Sequence, residues 1–189
     1  PTKEMTQCHK PKPILLAVGL NKPAWVPHNM PIQLFKIGKL LIVGAPGEFT
    51  SMSGRRIKEL LKKSYGSQIE NVVIAGLSNS YAGYVTTNEE YQQQNYEGGF
   101  TVFGPWTLAA YSQSFYNLAK DMIAGKESDT GPLPENLNTN TGSLIPPVFF
   151  DDKLITKSFG SVHDDVKKNY HRNDTVHASF WAGHPRNNF

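Results

Sequence analysis

The sequence predicts an α/β fold: a mixed sheet with packed helices, followed by the beginning of a second, β-rich domain. Three observations carry this. Short apolar runs recur at residues 14–20, 40–45 and 71–77, each closed by Gly, Pro or Asn. Two longer stretches, 51–64 and 105–123, repeat their apolar residues at three-four spacing. Between 125 and 147 the composition turns to Gly, Ser, Asp, Pro, Asn and Thr, after which only short β-like pieces follow.

The runs ILLAVGL, LLIVGA and NVVIAGL are too short for helices and read as buried strands. Residues 32–37 (IQLFKI) alternate, and Gly38-Lys39 offers the two-residue turn that would fold them onto 40–45 as a hairpin. The helix over 51–64 places Ile57, Leu60, Leu61 and Ser64 along one face. Ser or Thr at 50–53 caps its start, Lys58, Lys62 and Lys63 suit its negative C-terminal end, and Gly66 ends it. The second helix takes Pro105 at its first position, buries Leu108, Tyr111, Phe115, Leu118 and Met122, and stops at Gly125. The resulting division is a first domain over 1–124, a linker or long loop over 125–147, and a truncated second domain over 148–189.

The 189 residues are 39% hydrophobic and 19% charged, ordinary values for a globular protein, and the net charge of +3 is too small and scattered to argue for nucleic acid. Arg55-Arg56 and Lys62-Lys63 read as a solvated helix face. No run of eighteen apolar residues occurs. The chain opens at Pro1 without an initiator Met, which we read as a piece of a longer or processed protein. Cys8 is the single cysteine and is either a free thiol or half of a disulfide with a partner elsewhere; Asn173-Asp174-Thr175 is a glycosylation sequon.

Candidate chemistry falls on three segments. Glu48 lies in GEFTSMSGRR (47–56), at a strand-to-helix junction where ligand sites collect; its carboxylate is a hard metal ligand or simply a helix-start residue. The loop after the third apolar run, LSNSYAGYVTT (77–87), carries Tyr81 and Tyr84. A tyrosine there ligates a metal as phenolate, donates to an oxyanion, or only packs. The stretch 89–99 holds Glu89, Glu90 and Tyr96; adjacent carboxylates do not face each other on a helix, so no acid/base pair is assigned. The six histidines show no HExxH-type spacing, and no Gly-x-Ser-x-Gly, phosphate-binding loop or dinucleotide fingerprint occurs.

Taken in order, these segments resemble the neutral ceramidases (neutral/alkaline, non-lysosomal). GEFTSMSGRR resembles that family's GEFT-T-M-[SA]-GRR motif, differing mainly at Ser51. NSYAGYVTTNEEYQQQNYEGG (79–99) resembles its Asn-x-Tyr-x-x-Tyr-[VI]-Thr-Thr segment, FGPWTLAAY (103–111) the helix start that follows, and CHKPKPILL (8–16) its Pro-rich strand. The resemblance implies an amidohydrolase that cleaves ceramide to sphingosine and a fatty acid with zinc-activated water. It implies Zn2+ as cofactor, Glu48 and Tyr84 as two of its ligands, and Tyr84 and Tyr96 as catalytic-site tyrosines. It places two histidine ligands on an upstream segment absent here and matches Cys8 to a disulfide-forming cysteine; Asn173 is a glycosylation candidate through its sequon alone. It further implies a secreted or cell-surface protein, ceramide as substrate with a membrane surface as a further partner, and an immunoglobulin-like domain beginning within 148–189. Phe100, Phe103 and Trp106 are candidates for the lipid pocket, with core packing the preferred reading. With only two ligands on the chain, it is expected to be inactive alone; the competing reading is a non-catalytic lipid-binding or interaction fragment, or a different metal amidase on the same sheet.

Overall fold

The computed structural model describes residues 1–136, 148 and 151–184, and it divides into two units, Pro1–Leu137 and Asn138–Phe189. The first unit is built on a three-stranded sheet of β1 (Gln33–Ile37), β2 (Leu40–Gly44) and β4 (Asn71–Ala75), in the order β1-β2-β4. β1 and β2 are the expected hairpin. Ile37 pairs with Leu40 across Gly38-Lys39, and Gly38 takes the φ of +56° that this turn requires. β4 returns parallel to β2, with Leu41 opposite Val72 and Val43 opposite Ile74.

The crossover between β2 and β4 carries β3 (Glu48–Phe49) and helix α2 (Ser51–Tyr65). The Thr50 side chain caps α2 by accepting from the Ser53 amide, and Gly66 closes it at φ +57°. The helix buries Ile57, Leu61 and Tyr65 on the expected face. Helix α5 (Thr107–Ile123) packs beside it through Leu108, Tyr111, Phe115 and Ala119, with Leu118 and Met122 half-buried. These two faces close over Leu34, Leu41, Val43 and Val72 of the sheet to form one core. Each large apolar side chain fully buried there contributes roughly 1.5–3 kcal/mol.

Three expectations need correction. Residues 14–20 form no strand: Leu15 and Leu16 are exposed, and a short 3-10 turn at Val18–Leu20 is their one regular feature. Pro11, Pro13 and Pro23 flank the run and supply no backbone donors for a ladder. The strands at 40–45 and 71–77 are buried on one face only; Phe35, Ile42 and Val73 line up across the other, where Phe35 and Val73 are about half exposed. Finally, α5 starts at Thr107 with Trp106 at the cap, because Gly104 (φ +87°) turns the chain before Pro105 can enter the helix.

Between β4 and α5 lie β5 (Tyr84–Val85) and the short helices α3 (Asn88–Tyr91) and α4 (Tyr96–Gly99). The N-terminal segment, which begins with α1 (Lys3–Cys8), straps onto them. The Tyr91 hydroxyl donates to the His9 carbonyl at 2.9 Å, and the Lys12 ammonium donates to the Gln93 carbonyl at 2.6 Å while lying over the Tyr91 ring. Among its described residues, the second unit holds a two-stranded antiparallel ribbon of β6 (Val162–Asp164) and β7 (Ser179–Phe180), with Trp181 set edge-on to His163. Residues 125–136 carry neither helix nor strand; the remainder of the expected loop, 137–147, lies outside the described residues. No described helix is long and apolar enough to cross a membrane.

Candidate functional site

Glu48 and Tyr84 are direct partners in the parallel pair β3–β5, so their side chains leave the same face of the ribbon. The backbone fixes this register from both sides. The Glu48 amide donates to the Gly83 carbonyl at 3.0 Å, the Thr50 amide to the Val85 carbonyl at 3.1 Å, and the Tyr84 amide to the Phe100 carbonyl at 3.1 Å. Gly83 is indispensable at this crossing. It has φ +79°, and a Cβ there would lie 2.7 Å from the Phe100 carbonyl oxygen.

A third side chain joins them. The Tyr81 hydroxyl donates to Glu48 Oε1 at 2.7 Å, and the hydrogen bond to this carboxylate, helped by burial, pushes the Tyr81 phenol up to about 12. The neighbouring Glu48 carboxylate raises the Tyr84 phenol as well. Both phenols are thus held protonated by a neighbouring anion, a preference that a bound cation would oppose.

Tyr96 opens α4, and its ring meets Tyr84 edge-on at 5.6 Å. Phe100 ties the group together, with centroid distances of 6.4 Å to Tyr81, 6.3 Å to Tyr84 and 6.4 Å to Tyr96. Tyr96 is 73% exposed and Trp106 62%, while Phe100 is one-third exposed and Phe103 half-buried. Core packing therefore does not describe Trp106 or Phe100; the expectation of burial fails because the turn at Gly104 directs Trp106 outward from the start of α5. On one side of the ribbon Tyr84, Glu90, Asn95 and Glu97 line a cavity of about 430 Å3.

Glu89 and Glu90 have separate duties. Glu89 forms a bidentate pair with Arg56 at 2.9 and 3.1 Å, which pulls its carboxyl down to about 2. Glu90 completes a capping box with Thr87 and also accepts from the Thr50 hydroxyl at 2.7 Å, joining the N-caps of α2 and α3. The Thr87-x-x-Glu90 spacing was the signal for this role. The role of Tyr81, by contrast, has no sequence signature that separates it from a packed loop tyrosine.

Glu48 and Tyr84, register partners on one face of the ribbon, are donors suited to zinc, since carboxylate oxygen is an ordinary zinc ligand and an adjacent phenol becomes one when a cation favours its anion. They supply one edge of such a site. Among the described residues no group of three or more His, Cys, Asp and Glu side chains is gathered to complete it. Cys8 is exposed with a free thiol, and Asn173 stands in an exposed turn at φ +74°.

An α/β unit with its polar and aromatic side chains gathered where parallel strands end has the layout in which such folds carry ligand sites. Comparison with known proteins makes the assignment specific. The pattern defining the N-terminal region of the neutral/alkaline non-lysosomal ceramidases matches residues 1–113, and the pattern for their C-terminal region matches residues 115–189. The chain belongs to the neutral/alkaline non-lysosomal ceramidase family. It is 49% identical to neutral ceramidase B of Dictyostelium discoideum over 192 aligned residues, covering all of this chain and 27% of that protein. It is 42% identical to the neutral ceramidase of Pseudomonas aeruginosa, covering 99% of this chain and 28% of that one. The crystal structure of the Pseudomonas aeruginosa neutral ceramidase superposes with a TM-score of 0.73 at 41% identity, over 95% of this chain and 29% of that one. A ceramidase structure complexed with C2 superposes with a TM-score of 0.74. The chain thus spans about a quarter of the length of these relatives.

Proposed function

We propose that this chain supplies one edge of the active site of a zinc-dependent ceramide amidohydrolase, with Glu48 and Tyr84 as two metal ligands and Tyr96 as a catalytic-site hydrogen-bond donor. The single observation that carries the reading is the register pairing of Glu48 with Tyr84 on adjacent parallel strand ends. Family membership supports ceramide as substrate, with sphingosine and a fatty acid as products.

The chemistry required of the chain's own residues follows from where they stand. Glu48 and Tyr84 would hold the metal, which when bound would supply Lewis acidity toward water and the amide carbonyl. The Tyr96 hydroxyl, exposed beside Tyr84, is the donor suited to the charge that develops on the amide oxygen. Phe100 keeps the three tyrosines in fixed relation, so the donors need little reorganisation as that charge forms. The exposed rings of Trp106 and Phe100 offer apolar surface to the lipid chains and to a membrane interface.

A catalytic zinc takes three protein ligands and an open position. We therefore propose that the 189-residue chain alone does not turn over ceramide and that an upstream segment provides the histidines. A secretory or cell-surface setting is compatible with the exposed sequon at Asn173 and with an exposed Cys8 accessible for a disulfide. The C-terminal family match covers residues 115–189, and an immunoglobulin-like domain beginning within 148–189 is part of the same proposal.

The test is fatty-acid release from a short-chain ceramide. No release is expected from the isolated chain with zinc. Release is expected when the same residues stand within a family-length polypeptide, with loss of at least a hundredfold in Glu48→Gln or Tyr84→Phe. Full activity in either variant would remove the ligand assignment, and turnover by the isolated chain would remove the need for further ligands.

A further inference from the structure

We infer that Tyr81 is a positioning residue, which fixes the Glu48 carboxylate so that one of its oxygens is left for the metal. This rests on the proposed zinc role of Glu48 and Tyr84. The Tyr81 hydroxyl fills Glu48 Oε1 at 2.7 Å, and Tyr84, the register partner, is the neighbour with which Glu48 would share the ion. A carboxylate with one oxygen engaged presents the other in a defined direction, the arrangement by which outer hydrogen bonds orient and tune metal ligands.

The phenol is held in place by more than its hydrogen bond. Its ring lies against Phe100 at 6.4 Å, and the chain on its C-terminal side is tied to the strand end that carries Glu48. The Ala82 amide donates to the Pro46 carbonyl at 2.8 Å, and the Gly83 carbonyl accepts from the Glu48 amide. Left-handed conformations at Asn79 (φ +64°) and Gly83 (φ +79°) bracket Tyr81 and return the loop toward Glu48. Tyr81 and Glu48 are both partly open to solvent, so the hydroxyl adds little to global stability; its consequence is the geometry of the carboxylate.

Zinc affinity is measured by chelator competition in a family-length polypeptide carrying these residues, which holds the further ligands. In Tyr81→Phe, which removes only the hydroxyl, zinc affinity falls roughly 10- to 100-fold, the usual penalty for losing an outer-shell partner, with an unchanged melting temperature. Equal affinity in the two proteins overturns the inference and leaves the ligand assignment standing. An affinity loss that merely tracks a loss of folded protein also overturns it. If Glu48→Gln and Tyr84→Phe bind zinc as tightly as the unsubstituted polypeptide, the ligand assignment fails, and the role of Tyr81 fails with it.

Discussion

Glu90 accepts a hydrogen bond from the Thr50 hydroxyl forty residues away, at 2.7 Å, while also accepting from the Thr87 amide at 2.8 Å. Thr50 and Thr87 cap the two helices that follow the strand ends bearing Glu48 and Tyr84. One carboxylate therefore locks the two halves of the site at their helix starts. Glu90→Ala removes the lock and half of the capping box, and is expected to destabilise the chain by about 1–3 kcal/mol, the range for losing a hydrogen bond to a charged group. Urea denaturation reads this directly; a change within 0.5 kcal/mol, the ordinary scatter of surface substitutions, would show that the lock is idle.

Gly83 is the second structural weak point. Alanine there combines a positive φ with a clash against the Phe100 carbonyl. The expected cost is about 1–3 kcal/mol, and because Gly83 precedes Tyr84, the substitution should also weaken the proposed zinc binding. Melting temperature together with zinc titration distinguishes this from a purely local effect. A Gly83→Ala chain that is as stable as its parent would mean that the crossing is looser than described.

Glu89 gives a pH prediction of defined sign. Its pairing with Arg56 depresses the carboxyl to about 2 in the folded chain. The stabilising contribution is therefore present above the unfolded carboxylate value of about 4.3 and is lost as pH falls through about 2. Both groups are exposed, so the effect on overall stability is small and screened by salt. Side-chain carboxyl NMR shifts should place the Glu89 midpoint near 2, moving up to the ordinary range in Arg56→Gln. A midpoint near 4 in the unsubstituted chain would count against the pairing.

Tyr111 behaves in the opposite direction. Its burial against Phe49 and Phe115 pushes the phenol up to about 12. The unfolded phenol ionises at about 10, so this residue costs stability as pH rises from about 10 to about 12. Alkaline unfolding is expected in that window, and Tyr111→Phe should flatten the pH dependence there. An identical profile in the variant would assign the alkaline transition to another group, Tyr65 and Tyr91 being the other buried phenols.

Much of the fold was legible because local rules sufficed. The stripe Leu108, Tyr111, Phe115 and the face Ile57, Leu61 follow helical spacing, and Thr50, Gly66 and Gly125 punctuate them as their backbone chemistry requires. The run at 14–20 misled because apolar content was equated with burial. A strand also needs a ladder, and prolines at 11, 13 and 23 leave little of one to form. At the site, β3 and β5 are two residues each, too short for any periodicity to reveal. The motif resemblance singled out Glu48, Tyr84 and Tyr96 as candidates, but Tyr81 looked no different from any other loop tyrosine.

By itself, then, the sequence determined the two long helices, the hairpin and the family, since each depends on near-neighbour spacing or on ordered motifs. Only the tertiary structure decided that Glu48 stands opposite Tyr84, that Tyr81 turns back to hold the carboxylate, and that Glu90 joins two helix caps. The physical reason is distance along the chain. Those contacts join residues more than thirty positions apart, through hydrogen bonds whose geometry exists only after the sheet has set its register and left-handed turns have redirected the loop.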